Sequence, residues 1–241
     1  MMPEYLVFDT SDEIWHYLGK SWKEISAKAI GENGYFCAAL SGGKTPTGFY
    51  QYLSGKHLQW EKSHLFLVDE RFVPWDSPES NYRMLQENLL GRIQIPRENI
   101  HPISTNQSSP EISARTYEEE LRRFFKLDEN GIPEFDLVLL GIGEDGHTAS
   151  LFPGTAAVKE TKRLLVSVSP GNALMDRISL TLPVINNAWN VIFLVTGQRK
   201  RAVIKKIREG RDTTLPASMI NPKRGRLLFL MDKEAAGTRR L

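Results

Sequence analysis

Short apolar runs alternate with amphipathic stretches from one end of the chain to the other. Segments 5–8 (YLVF), 35–40 (YFCAAL), 64–69 (HLFLVD), 135–141 (FDLVLLG), 164–169 (LLVSVS), 177–182 (RISLTL), 190–197 (NVIFLVTG) and 226–232 (RLLFLMD) read as strands. Several are apolar on both faces, the mark of parallel strands buried between helix layers. Helical periodicity covers 12–30, 45–53, 79–90, 111–125, 184–189 and 199–209. The Ser109-Pro110-Glu111 run supplies the start of one of these helices, and the polar SPESNYRM (77–84) has the chemistry of a lid or a helix cap. Such alternation predicts a doubly wound α/β fold. At 241 residues, with no internal repeat and no linker that demands a boundary, the expectation is a single domain over 1–241.

In sheets of this type ligands collect beyond the carboxyl ends of the strands. Four loops therefore carry the candidate chemistry: SGGKTP after CAAL, DERFVP after LFLV, GIGEDGHTASLFPG after FDLVLL, and TGQRKR after VIFLV. The first suits an anion, because glycines let the backbone close in and helix-start amides converge on it. Gly43, Lys44 and Thr45 match the end of a nucleotide P-loop, yet the glycine required five residues before Gly43 is Ala38. A compact anion cradle survives this test and an ATPase does not. In the second loop Asp69, Glu70 and Arg71 form either a structural ion-pair cluster or an arginine fork oriented by acids toward phosphate or carboxylate.

Gly141, Gly143 and Gly146 have the spacing of a dinucleotide fingerprint. That motif needs an acid at the end of the next strand, about 20 residues on, to hold a ribose. Here LLVSVS runs into Pro170, and Glu144 and Asp145 lie inside the loop, where they would repel a pyrophosphate. The loop reads better as a reactive site. His147 can take a proton from water near neutral pH, with Asp145 to orient it. His16, His57, His64 and His101 lie in helical, loop or strand-edge contexts and read as structural. No neighbouring histidine or cysteine gives His147 metal-ligand spacing, and Ser150 lacks a nucleophile elbow.

Composition narrows the picture further. Thirty-one basic against 29 acidic residues is too even for a nucleic-acid binder. No apolar run approaches the roughly 20 residues of a membrane helix, and the amino-terminal stretch lacks the basic-then-apolar layout of a secretory signal, so a cytoplasmic location is expected. The one cysteine, Cys37, excludes an internal disulfide and reads as an inert core thiol.

LSGGKTP, VDERFVPWDSPESNYRM, GIGEDGHTASLFPG and RISLTLPVINNAWNVIFLVTGQRKRAVI occur in an order and spacing that closely resembles the 6-phosphogluconolactonase family, over residues 35 to 232. The related glucosamine-6-phosphate deaminases share Asp-Gly-His but typically continue with Asn-Glu-Pro, whereas Ser150 to Gly154 here has the lactonase form. The resemblance implies a three-layer α/β/α fold with a mainly parallel, doubly wound sheet, shared with the sugar-phosphate deaminases and isomerases. It implies hydrolysis of 6-phospho-D-glucono-1,5-lactone to 6-phospho-D-gluconate in the oxidative pentose phosphate pathway, with no required cofactor or metal. By matching position, His147 is the base that activates water and Asp145 its partner. Arg71, Lys200 and the loop Ser41, Gly42, Gly43, Lys44 and Thr45 match phosphate-binding positions, and Asp69, Gly143 and Arg177 complete the substrate set. The implied partner is the phosphorylated sugar lactone, with no nucleic acid or membrane; protein partners stay open. Rival readings are an aminosugar-phosphate deaminase or isomerase on the same fold, a non-catalytic sugar-phosphate sensor and, third, a dinucleotide binder.

Overall fold

The computed structural model describes residues 2–171, 175–210 and 212–237. Strand β2 (Phe36–Leu40) lies inside a seven-stranded sheet. On one side of it come β3 (Ser63–Leu67) and β5 (Ile100–His101). On the other come β6 (Leu137–Leu140), β9 (Asn190–Val195), β10 (Arg226–Asp232) and β1 (Glu4–Phe8). Every pairing in this sheet is parallel. All residues of β2 and β6 are buried, as their two-sided apolar sequences require when helices cover both faces. Among the described residues no helix is long and apolar enough to cross a membrane.

The helices begin where their caps dictate. Thr10 accepts the Glu13 amide ahead of α1 (Ser11–Asn33), which stops at left-handed Gly34. Its buried stripe, Ile14, Leu18, Trp22 and Ala29, recurs at helical spacing and brings Trp22 edge-on to Phe36, 5.2 Å between ring centroids. The anion loop leads into α2 (Lys44–Ser54). Ser80 caps α3 (Asn81–Asn88), so SPESNYRM is a helix start, and Ser109 with Pro110 starts α4 (Pro110–Phe124).

Three expectations are corrected. The run 64–69 is two strands in two sheets: after β3 the chain breaks at Val68 and enters β4 (Asp69–Arg71). The runs 164–169 and 177–182 supply β7 (Leu165–Val168) and β8 (Arg177–Leu180), which join β4 in a separate antiparallel sheet. Strand propensity is local, whereas the partner is a tertiary choice. The helix expected at 184–189 is the single turn α5 (Leu182–Ile185), and a 3-10 turn at Gln198–Lys200 precedes α6 (Arg201–Arg208). The two-residue β5 is too short to stand out in the pattern.

After β2 the chain moves outward to β3 and β5; after β6 it moves the opposite way, to β9, β10 and α7 (Lys233–Ala236). The order therefore reverses between β2 and β6. A crevice opens at such a switch because the two connections leave in opposite directions. The loops Ser41–Thr45 and Gly141–His147 are the two that flank it.

Candidate active site

A cleft of about 720 Å³ occupies this switch point. Ser41 to Thr45 line it from the start of α2, Asp69 and Arg71 from β4, and Gly143 and His147 from the loop after β6. Arg177 enters from β8 and Lys200 from the turn after β9. Every residue expected to touch substrate is thus brought together. Asp145 is the exception: it is no part of the wall and instead bonds to His147.

The Asp145 Oδ1 atom accepts from the His147 backbone amide at 3.1 Å and lies 2.6 Å from His147 Nδ1. An ionised carboxylate only accepts, so this contact uses Nδ1 as the ring's donor, which in a neutral imidazole leaves Nε2 as the acceptor. The loop is shaped for this pose. A β-carbon on Gly143 would collide with the His147 ring, and Gly146 adopts φ +86, where a β-carbon would also crowd the Leu215 side chain. Gly141 has neither constraint, so only two glycines of the apparent fingerprint are needed here.

The acids of β4 do not form the ion-pair cluster considered from sequence, nor does Glu70 orient Arg71. Glu70 is fully buried and turns away, accepting the amides of Arg71, Asn81 and Tyr82 and the Ser80 hydroxyl at 2.7–3.0 Å. Burial raises its carboxyl pKa, and those four donors pull it back. Asp69, also buried, accepts the Ser150 hydroxyl at 2.6 Å. Ser150 is therefore a sealed donor, not a nucleophile. Glu79 is what steadies Arg71: its carbonyl accepts from Arg71 Nη1, and its carboxylate lies 3.9 Å away.

Arg71 and Arg177 are directly paired across the β4–β8 ladder. Like charges in that position repel. Neither buried Nε has a hydrogen-bond partner, and burial, then the charge of Arg71, lowers the pKa of Arg177. Two half-dehydrated forks aimed into one cleft make a site that an anion would complete.

The opposite wall is the start of α2. Gly43 caps it without a side-chain bond, leaving first-turn amides beside Lys44. Ser41 Oγ is buried with no partner, while the Ser41 carbonyl is pinned by the Tyr50 hydroxyl at 2.7 Å. Thr45 and Thr196 share a hydroxyl bond of 2.9 Å that ties α2 to the end of β9, and Asp232 holds the Gly197 amide at 2.9 Å. Sequence reasoning flagged the loop TGQRKR but not Thr196 or Gly197, and it missed Asn81, whose side chain donates to the Asp69 carbonyl. Asn81 is visible in sequence only as the residue after a helix cap.

The model of the family described as glucosamine-6-phosphate isomerases/6-phosphogluconolactonase matches residues 9–229. The 6-phosphogluconolactonase of Synechocystis is 44% identical over 210 residues, covering 86% of each chain, and that of Nostoc is 42% identical over the same length and coverage. The solved structure of 6-phosphogluconolactonase from Trypanosoma brucei superimposes with a TM-score of 0.87 at 33% identity, covering 98% of both chains. The cleft at the β2/β6 switch, the Asp145–His147 pair and this similarity along nearly the whole length agree: the chain belongs to the glucosamine-6-phosphate isomerase/6-phosphogluconolactonase family.

Proposed function

We propose that this chain is a 6-phosphogluconolactonase, hydrolysing 6-phospho-D-glucono-1,5-lactone to 6-phospho-D-gluconate in the oxidative pentose phosphate pathway. The observation that carries the reading is an imidazole held through Nδ1 by Asp145, in the same cleft as two arginines whose buried Nε atoms lack hydrogen-bond partners. Lys200, Arg71 and the Ser41–Thr45 loop hold the phosphate, with Asp69, Gly143 and Arg177 completing the substrate contacts. His147 takes a proton from water as the water oxygen bonds to the lactone carbonyl carbon. The resulting oxyanion is stabilised by the cationic donors of the cleft. When the intermediate collapses, the bond from that carbon to the ring oxygen breaks and the imidazolium returns its proton to the departing oxygen, which becomes a hydroxyl. A lactone already hydrolyses unaided, so positioning plus acid–base help accounts for the acceleration. The same proposal treats residues 1–241 as one domain, with the phosphorylated lactone as its partner in the cytoplasm.

The test is lactone hydrolysis by wild type and His147→Ala, each corrected for the spontaneous rate. The expected loss in kcat is about 10²- to 10⁴-fold, with phosphate affinity kept. Normal turnover by His147→Ala removes His147 as base. Ammonia release from glucosamine 6-phosphate, with no lactone hydrolysis above background, selects the deaminase reading instead.

A further inference from the structure

The tail after His147 takes no direct part in the steps above, yet the chain is built to fold it back under the base. Ala149 adopts a left-handed φ of 51, and the Leu151 amide donates to the Thr148 carbonyl at 2.9 Å, closing a tight turn. This conformation is unfavourable for a residue with a β-carbon and persists only when its surroundings hold it. Here they do: the Ser150 amide donates to Ser179 Oγ at 3.2 Å, and its hydroxyl donates to Asp69. The turn delivers Phe152, whose carbonyl accepts from both the amide and the hydroxyl of Thr155, at 3.2 and 2.8 Å.

The Phe152 ring lies 4.5 Å from the His147 imidazole, centroid to centroid, at 39°. The same ring carries the Arg177 guanidinium, with Cζ 5.4 Å from its centroid. An aromatic face attracts a cation electrostatically. That attraction supports Arg177, which has no partner on Nε and faces Arg71. The charges of Asp69 and Glu79 also reach Arg177. Without the ring, the guanidinium is free to turn toward one of these acids and leave the anion site.

We propose that Phe152 is a positioning residue for lactone hydrolysis: its one ring sets the spacing and tilt at which His147 and Arg177 face the substrate. The proposal rests on the lactonase reading and gives the Ser150–Gly154 tail a physical task. The experiment measures kcat and KM for lactone hydrolysis, with thermal unfolding in parallel, for wild type, Phe152→Leu, Phe152→Met and Phe152→Tyr. Displacing a reacting group by about 1 Å lowers rate about 100-fold, so the two non-aromatic variants are expected to lose about 10- to 100-fold in kcat, more than KM rises. Phe152→Tyr is expected to stay within about threefold of wild type, because the aromatic face is kept. Should Phe152→Leu fail to fold, the flexible Phe152→Met carries the same expectation. Wild-type kcat in a folded non-aromatic variant overturns the proposal, as does a Tyr variant as slow as the non-aromatic ones. A wild type no faster than the spontaneous reaction overturns the lactonase reading itself, a separate outcome.

Discussion

Replacing Arg177 with methionine is expected to make the unliganded protein more stable and its ligand binding weaker. In the free protein the guanidinium has a buried Nε without a partner and directly opposes Arg71. Relieving an unsatisfied polar group returns about 1–3 kcal/mol, and removing a cross-strand like-charge pair about 0.2–1 kcal/mol. Against this stands the contact with the Phe152 ring, about 0.5–1 kcal/mol. Methionine roughly keeps the apolar stem. The balance is a gain of about 2 kcal/mol at mid-range, or a rise in melting temperature of about 4–8 °C for a chain of this size. With an anion bound the sign reverses. Hydrogen bonds to charged groups contribute about 1.5–3 kcal/mol, so affinity for 6-phosphogluconate falls about 10- to 150-fold. Thermal unfolding without ligand and titration calorimetry with 6-phosphogluconate read the two effects independently. A lower melting temperature together with an unchanged Kd would refute the view that the paired arginines are held apart for an anion.

Glu70→Gln removes one of the two oxygens that together accept three amides and a hydroxyl. A loss of about 2–3 kcal/mol in denaturant unfolding is expected, and an unchanged midpoint would contradict the buried-anchor role. Asp136 is held at a pKa of about 6, chiefly by burial, while its carboxylate accepts the Cys37 amide at 2.8 Å. Between about pH 4 and 6 the folded state keeps a proton that the unfolded state has released, so this group lowers stability as pH rises through that window, with the full penalty above it. Asp136→Asn keeps an acceptor for Cys37 and is expected to exceed wild type by about 1–3 kcal/mol at pH 8, with the gap shrinking toward pH 4; a gap independent of pH would show that the carboxylate's charge is not the cause.

Much of this protein is legible from local chemistry. Two-sided apolar runs such as CAAL and LVLL announce parallel strands, and Thr10, Ser80 and Ser109 mark helix starts, because periodicity and capping act within a few residues. Asp145 and His147 are two apart, and the glycines that let them meet lie in the same loop, so their pairing is also written locally. What lies 81 or 99 residues apart is not. That Asp69 binds Ser150, that Cys37 binds Asp136, and that HLFLVD divides between two sheets depend on which segments the sheet order brings together. The placement of Arg177 opposite Arg71 is of the same kind, since side-chain type carries no record of the strand it will face. Sequence alone supplied the residues able to bind an anion and move a proton; the reversal of strand order between β2 and β6 placed them in one cleft, because chain connections leaving in opposite directions open a space that no local pattern encodes.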